Sequence, residues 1–151
     1  MNFTGQRAEP EDNKVKKYAP ITKYMATELI TFKPEQNISE VIKIILEKKI
    51  SGAPVLNDRR ELVGIISEKD CLKLLIDEAY HDQHHSKKTV ADYMTTDVAT
   101  VSVHMDVLDV ATEFLNNHFR RFPVVEDGVL RGQVSRRDIL KAAHDIKITT
   151  W

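Results

Sequence analysis

Two serine–aspartate pairs, Ser67 with Asp70 and Ser135 with Asp138, have the same spacing, and each follows a short apolar strand and leads into a helical pattern. In the first turn of a helix, free backbone N–H groups and the positive end of the helix dipole attract an anion such as phosphate. A carboxylate one turn in can accept both hydrogens of a ribose diol, while the serine hydroxyl can donate to a phosphate oxygen. Ser-x-x-Asp is also a reciprocal helix cap, a local stabiliser worth about 1 kcal/mol. Recurrence in matched contexts favours ligand contact, and one pair can serve both roles.

The contexts match over most of the chain. Ile50–Leu56 followed by Gly64–Asp70 corresponds to Phe119–Val125 followed by Gly132–Asp138. Tyr24-Met25, Thr31, Asn37, Glu40 and Pro54 return 69 positions later as Tyr93-Met94, Thr100, Asp106, Asp109 and Pro123. One residue is lost in the turn at Asp127-Gly128, after which an offset of 68 carries Gly64, Ser67 and Asp70 onto Gly132, Ser135 and Asp138. Each half is too small to hold an independent core, so the halves of this duplication must pack on each other.

The elements that position the pairs follow from local pattern. Glu28–Phe32 reads as a short strand stopped by Pro34. Asn37 is an N-cap with Glu40 in the capping-box position, and Ile38, Val41, Ile42, Ile45 and Leu46 form a helical stripe facing a core. Two strands follow, Ile50–Leu56 and Leu62–Ile66, joined as in a hairpin. Ser67 caps a second helix whose expected buried face is Leu72, Leu75, Ile76 and Ala79. From Asp77 to Lys88 the apolar pattern fades into a polar, His-rich linker. The expected division is a frayed arm over 1–14, a first repeat over 15–80, a linker over 81–89, a second repeat over 90–145 and a tail over 146–151 carrying Trp151. The order strand, helix, strand, strand, helix in each half predicts a two-layer α/β (α+β) body with an approximate two-fold axis.

Bulk properties bound the function. A net charge of −1 argues against a whole-domain affinity for nucleic acid or acidic membranes. The single cysteine, Cys71, excludes an internal disulfide framework and suits a reducing compartment, with the thiol expected as a small buried helix residue. No stretch approaches the run of about 18 apolar residues that spans a membrane. The polar first residues lack the apolar segment of a signal peptide, so the expected location is cytoplasmic.

The Met-x-x-x-apolar-apolar-Thr opening, the Gly52-Ala53-Pro54-Val55 strand and the paired Gly-apolar-apolar-Ser-x-x-Asp endings resemble a tandem pair of CBS domains, the Bateman module, over roughly Val15 to His144. The resemblance implies two βαββα repeats related by pseudo-two-fold symmetry, with two clefts at their interface. In that family the clefts often bind adenosine-containing ligands, and two modules commonly join into a flat dimeric disc. It further implies that Met25, Ile30, Ile50 and Ser51 complete a cleft at Ser135 and Asp138, with Gln133 alongside. Arg120 and Arg121 fall where related proteins place phosphate-contacting basic residues, with Arg136 and Arg137 nearby; a solvated basic face is the alternative reading of these arginines. The second cleft, at Ser67 and Asp70, would use Gly52, Ile65, Met94, Ala99 and Phe119. Its counterparts of the arginine pair are Ser51 and Gly52, and Glu68 adds negative charge, so phosphate should prefer the Asp138 cleft.

The resulting expectation is a non-catalytic regulatory module that binds AMP, ADP or ATP between its repeats, forms a homodimer and alters the state of another protein. The competing expectation is a dimerising interaction module without a ligand; within the ligand-binding class, S-adenosylmethionine or a cyclic dinucleotide could replace the nucleotide. The apolar cleft positions could simply be core, the default for apolar residues at these spacings. No P-loop, nucleophile elbow or catalytic carboxylate pair stands in the sequence, and no cofactor is expected. His81, His84 and His85 sit in the linker without a cysteine partner, a weak basis for a metal site, and His104 and His118 are isolated.

Overall fold

A computed structural model describes residues 18–81 and 88–150. After a 3-10 turn at Ile21–Lys23, the first repeat contains α1 (Ile38–Lys48), β1 (Gly52–Leu56), β2 (Leu62–Ser67) and α2 (Glu68–His81). The second contains the short α3 (Val90–Tyr93), then β3 (Val101–Ser102), α4 (Val107–Asn116), β4 (Arg121–Glu126), β5 (Val129–Ser135) and α5 (Arg136–Thr150). The fold is α+β, with β1–β2 as one antiparallel sheet and β3–β4–β5 as the other, β3 running parallel to β4.

The helices begin where side chains satisfy their free N–H groups. Asn37 Oδ1 accepts from the amides of Ser39 and Glu40 at 2.8 and 3.3 Å. Asp106 and Asp109 cap α4 reciprocally. Lys49, left-handed at φ 54°, closes α1 by donating to the carbonyls of Ile45 and Leu46. The tight turn between β4 and β5 uses Asp127 at φ 51° and Gly128 at φ 82°, a pair of positive φ angles matching a two-residue hairpin turn.

The two prolines explain how the halves join. Pro54 pairs with Ile65, and Pro123 with Gln133. Proline has no N–H, so it suits a ladder position whose partner turns its peptide groups away. Ile65 exchanges both backbone hydrogen bonds with Thr95 at 2.9 and 2.8 Å, and Gln133 does the same with Ala26 at 2.9 and 2.8 Å. The leading segment of each repeat is therefore stitched to the hairpin of the other. The same exchange recurs where Ile21 N–H donates to Met105 and Val90 N–H donates to Gln36. At the pseudo-two-fold axis the hairpin tips pair, with Leu62 N–H donating to Gly128 O at 2.9 Å and Leu130 N–H to Arg60 O at 3.0 Å.

The cores obey this exchange. One contains Phe32, Ile38, Val41, Ile45, Ala53, Val55 and Ile66 from the first repeat, with Val90 and Tyr93 from the second. The other contains Val101, Val107, Val110, Phe114, Phe122, Val124, Val134 and Ala142, with Ile21 from the first. Each core is thus completed by the other half, as expected of halves too small to fold alone. Two tyrosines lock the arrangement: Tyr93 Oη donates to Asp77 at 2.6 Å and Tyr24 Oη to Asp145 at 2.9 Å. Burial, followed by the bond to Asp77, raises the Tyr93 pKa above the ordinary phenol value; for Tyr24 the bond to Asp145 is the larger cause of the rise.

Four expectations are corrected. Leu72, Leu75 and Ile76 are 63%, 63% and 51% exposed, and Ala79 is exposed too, so they are not the buried face of α2. Cys71 and Leu74 pack on the core instead, and half-buried Asp77 receives Tyr93. Apolar residues occupy two adjacent stripes of this helix, and only the swapped tyrosine selects between them. Leu46 on α1 is likewise 69% exposed. Glu28–Phe32 is not a strand: a single parallel bridge joins Phe32 to Val55, and the preceding residues span the gap to Ala26 without ladder partners. Helix α2 continues through His81, past the point where the apolar pattern fades.

Candidate functional site

The leading segment of the first repeat crosses the hairpins and leaves a cavity of about 200 Å³ lined by Glu28, Leu29, Ile30, Ile50, Gly52, Pro54, Arg121 and Gln133. Beside it a second cavity of about 240 Å³ is lined by Ser51, Gly52, Ala53, Pro54, Ile65, Ser67, Arg120, Arg121 and Gln133. Ile30, Ile50, Arg121 and Gln133 are thus together, with Ser51 and Arg120 in the adjoining space, while Ser135 and Asp138 line neither cavity. The arginines reach further than expected: Arg120 and Arg121 share their cavity with Ile65 and Ser67, expected in the other cleft. Both arginines are exposed and have no ion-pair partner among the described residues, whereas nearby Arg131 is paired with Glu126 at 3.1 Å.

Met25 and Met94 have a different place. Their side chains pack on the two cores, under the second strands of the opposite hairpins. A β-carbon at Gly132 would stand 2.7 Å from Met25 Sδ and 2.7 Å from Ala26 O; at Gly64 it would stand 2.8 Å from Met94 Sδ and 2.9 Å from Thr95 O. Glycine is required at both crossings because backbone meets backbone there. Phe119 is 48% exposed with its ring 5.8 Å from that of Phe122, and exposed Ala99 lines neither cavity.

Both Ser-x-x-Asp pairs form reciprocal caps. Asp138 Oδ2 accepts from Ser135 N–H at 2.8 Å and Ser135 Oγ at 3.0 Å, while Ser135 Oγ accepts from Asp138 N–H at 3.2 Å. Asp70 and Ser67 repeat the pattern at 3.0, 2.9 and 3.1 Å. Capping consumes one carboxylate oxygen in each. The remaining oxygens differ: Asp70 Oδ1 accepts from Thr95 Oγ1 at 3.0 Å and lies 3.4 Å from Lys73 Nζ, whereas Asp138 Oδ1 has no partner among the described residues. Asp70 is only 6% exposed, and Asp138 is half-buried. Sequence reasoning missed Thr95 and Lys73, along with Glu28, Leu29 and Pro54 on the cavity walls. The Thr95 difference was visible in the repeat alignment, since its counterpart is Ala26.

Cys71 is partly buried, and desolvation, followed by the nearby Asp70 and Glu68 charges, raises its thiol pKa. No group of three potential metal-ligating side chains occurs among the described residues; His84 and His85, the arm and Trp151 lie outside them, as does the side chain of His81. Nor is any helix among them long and apolar enough to cross a membrane.

This chain is 34% identical over 122 residues to the uncharacterized protein MJ1225 of Methanocaldococcus jannaschii, covering 81% of this chain and 42% of that protein. It therefore spans less than half the length of that relative. Among solved structures, CBSX2 from Arabidopsis thaliana in complex with AMP superposes with a TM-score of 0.71 at 32% identity, covering 85% of this chain and 98% of that one. The CBS domain pair of protein MJ0100, in complex with 5′-methylthioadenosine and S-adenosyl-L-methionine, matches with a TM-score of 0.65 at 27% identity, covering 85% and 98%. The CBS domain family model matches residues 21–77 and again residues 90–145, one match per structural repeat, and the chain belongs to the CBS-domain family as a tandem pair.

Proposed function

We propose that this CBS pair binds an adenine nucleotide, AMP, ADP or ATP, in the cleft at Asp138 and acts as a non-catalytic sensor. The observation that carries this reading is Asp138 Oδ1, which helix capping leaves without a partner among the described residues and so able to accept from a ribose hydroxyl. Ile30 and Ile50 offer apolar walls for a base, and Gln133 adds an amide. Arg120 and Arg121, without carboxylate partners among the described residues, favour a phosphorylated ligand over S-adenosylmethionine. The AMP complex of CBSX2, a relative of the same architecture, supports the nucleotide class.

A bound nucleotide would touch the leading segment of one repeat and the hairpin and helix of the other. It therefore favours whichever arrangement holds them together, and that differential affinity is the signal. The exposed apolar residues of α2, Leu72, Leu75, Ile76 and Tyr80, with Leu115 and Leu140 on α4 and α5, are suited to homodimerisation and to passing the signal to a regulated protein in the cytoplasm. The same faces favour the second reading, a dimerising module without a ligand.

Thermal unfolding with AMP, ADP, ATP, S-adenosylmethionine and cyclic di-AMP, each added separately, distinguishes the readings. A ligand present at about 100 times its dissociation constant adds roughly 2.7 kcal/mol. A raised midpoint with an adenine nucleotide is expected. No shift with any of the five, in a protein that remains dimeric, would select the interaction module.

A further inference from the structure

The two halves differ at one bonding position. At Asp70, the oxygen left over from helix capping is taken by Thr95 Oγ1 at 3.0 Å, from the leading segment of the other repeat. Lys73 Nζ, one turn along α2, closes the same oxygen at 3.4 Å and also donates to Tyr93 O at 3.4 Å, within that leading segment. The carboxylate is 6% exposed, and its charge is compensated by an ammonium and a hydroxyl from its own chain. A ligand hydroxyl arriving there would have to displace two existing donors from a buried acceptor.

At Asp138 neither contact is made. The counterpart of Thr95 is Ala26, which makes the same two backbone bonds to the opposite hairpin but carries no hydroxyl. The counterpart of Lys73 is Lys141, whose side chain is exposed and forms no ion pair with Asp138. The scaffold therefore holds the same acceptor in both halves and fills it from within in only one.

We infer that Thr95 and Lys73 form an internal latch that closes the Asp70 carboxylate to a ligand hydroxyl, although the cavity beside Ser67 stays open, and that Ala26 leaves the Asp138 carboxylate free, so that each chain takes one ligand bound through its hydroxyl. The ligand's hydroxyl occupies at Asp138 the place that the Thr95 hydroxyl occupies at Asp70. Ala26 and Thr95 are thus the residues that decide which carboxylate is open. The inference rests on the nucleotide reading for the identity of the ligand, but the latch itself is a property of the ligand-free protein.

Calorimetric titration of AMP into wild type, Asp70→Asn and Ala26→Thr, with thermal unfolding of all three and of Asp138→Asn without ligand, tests both parts. One AMP per chain is expected. Asp70→Asn should keep AMP affinity within about threefold while lowering the midpoint about 5 °C more than Asp138→Asn does, the amount expected for losing one charged contact. Ala26→Thr, by placing a hydroxyl on Asp138, should raise the ligand-free midpoint and weaken AMP about tenfold, roughly the worth of one hydrogen bond. Two AMP per chain, or a tenfold affinity loss in Asp70→Asn, overturns the inference. If AMP produces no heat with wild type, the nucleotide reading fails and the midpoints decide the latch: a greater loss at Asp70 than at Asp138 upholds it, and equal losses overturn it.

Discussion

Gly132→Ala is expected to destabilise the protein by about 3 kcal/mol, combining overpacking with weakened backbone bonds. The new β-carbon would lie 2.7 Å from the carbonyl oxygen of Ala26, a backbone atom that accepts from Gln133 N–H at 2.9 Å. Met25 can change rotamer to relieve its own contact, but the carbonyl can retreat only if the leading segment lifts from β5. That segment carries Glu28, Leu29 and Ile30 into the cavity, so the substitution should also weaken AMP binding more than tenfold, the effect of misplacing one cleft wall. Denaturant unfolding and calorimetry measure the two effects. Gly64→Ala provides the contrast: it meets Thr95 O at 2.9 Å on the other side and should lower stability with little change in AMP affinity. Equal affinity losses in the two variants would place the ligand outside the Asp138 cleft.

Asp138→Ala should weaken AMP by about 100-fold, since a charged hydrogen bond contributes roughly 1.5–3 kcal/mol and each factor of ten is about 1.4 kcal/mol. The same change removes the cap of α5, at a stability cost of about 1 kcal/mol. Ser135→Ala separates the two effects, because it removes the capping hydroxyl while leaving Asp138 Oδ1 in place. Its midpoint should fall by a similar amount, with affinity changing about threefold at most, less than the worth of one hydrogen bond. Titrations run well below both midpoints keep folding out of the comparison. An Asp138→Ala protein that binds AMP as tightly as wild type would remove the carboxylate from the site.

The fold was legible because duplication made it so. The paired glycines, prolines and Ser-x-x-Asp endings identify the hairpins and helix mouths, and the caps at Asn37 and Asp106 lie where local chemistry demands them. What the sequence concealed was the exchange between halves. Leu72, Leu75 and Ile76 look as apolar as the residues that α2 buries, and the partner that selects the buried stripe, Tyr93, comes from the other repeat. In hindsight the exchange had a signal: Tyr24 and Tyr93 are repeat counterparts, as are Asp145 and Asp77, the residues they bind. The site was legible in part. Ile30, Ile50, Arg121 and Gln133 line one cavity, Ser135 and Asp138 line neither of the two, and Met25 and Met94 pack on the cores. The closed state of Asp70 depends on a hydroxyl and an ammonium brought in by the fold, which motif spacing could not disclose.

Amide NMR of the isotopically labelled protein during an AMP titration locates the ligand residue by residue. Saturable shifts are expected in Ala26–Ile30, Ile50–Ala53 and Gln133–Asp138, the segments that carry the cavity walls and the open carboxylate. Shifts centred instead on Thr95–Ala99 and Ser67–Asp70, or confined to the exposed faces of α2 and α5, would place the ligand away from Asp138.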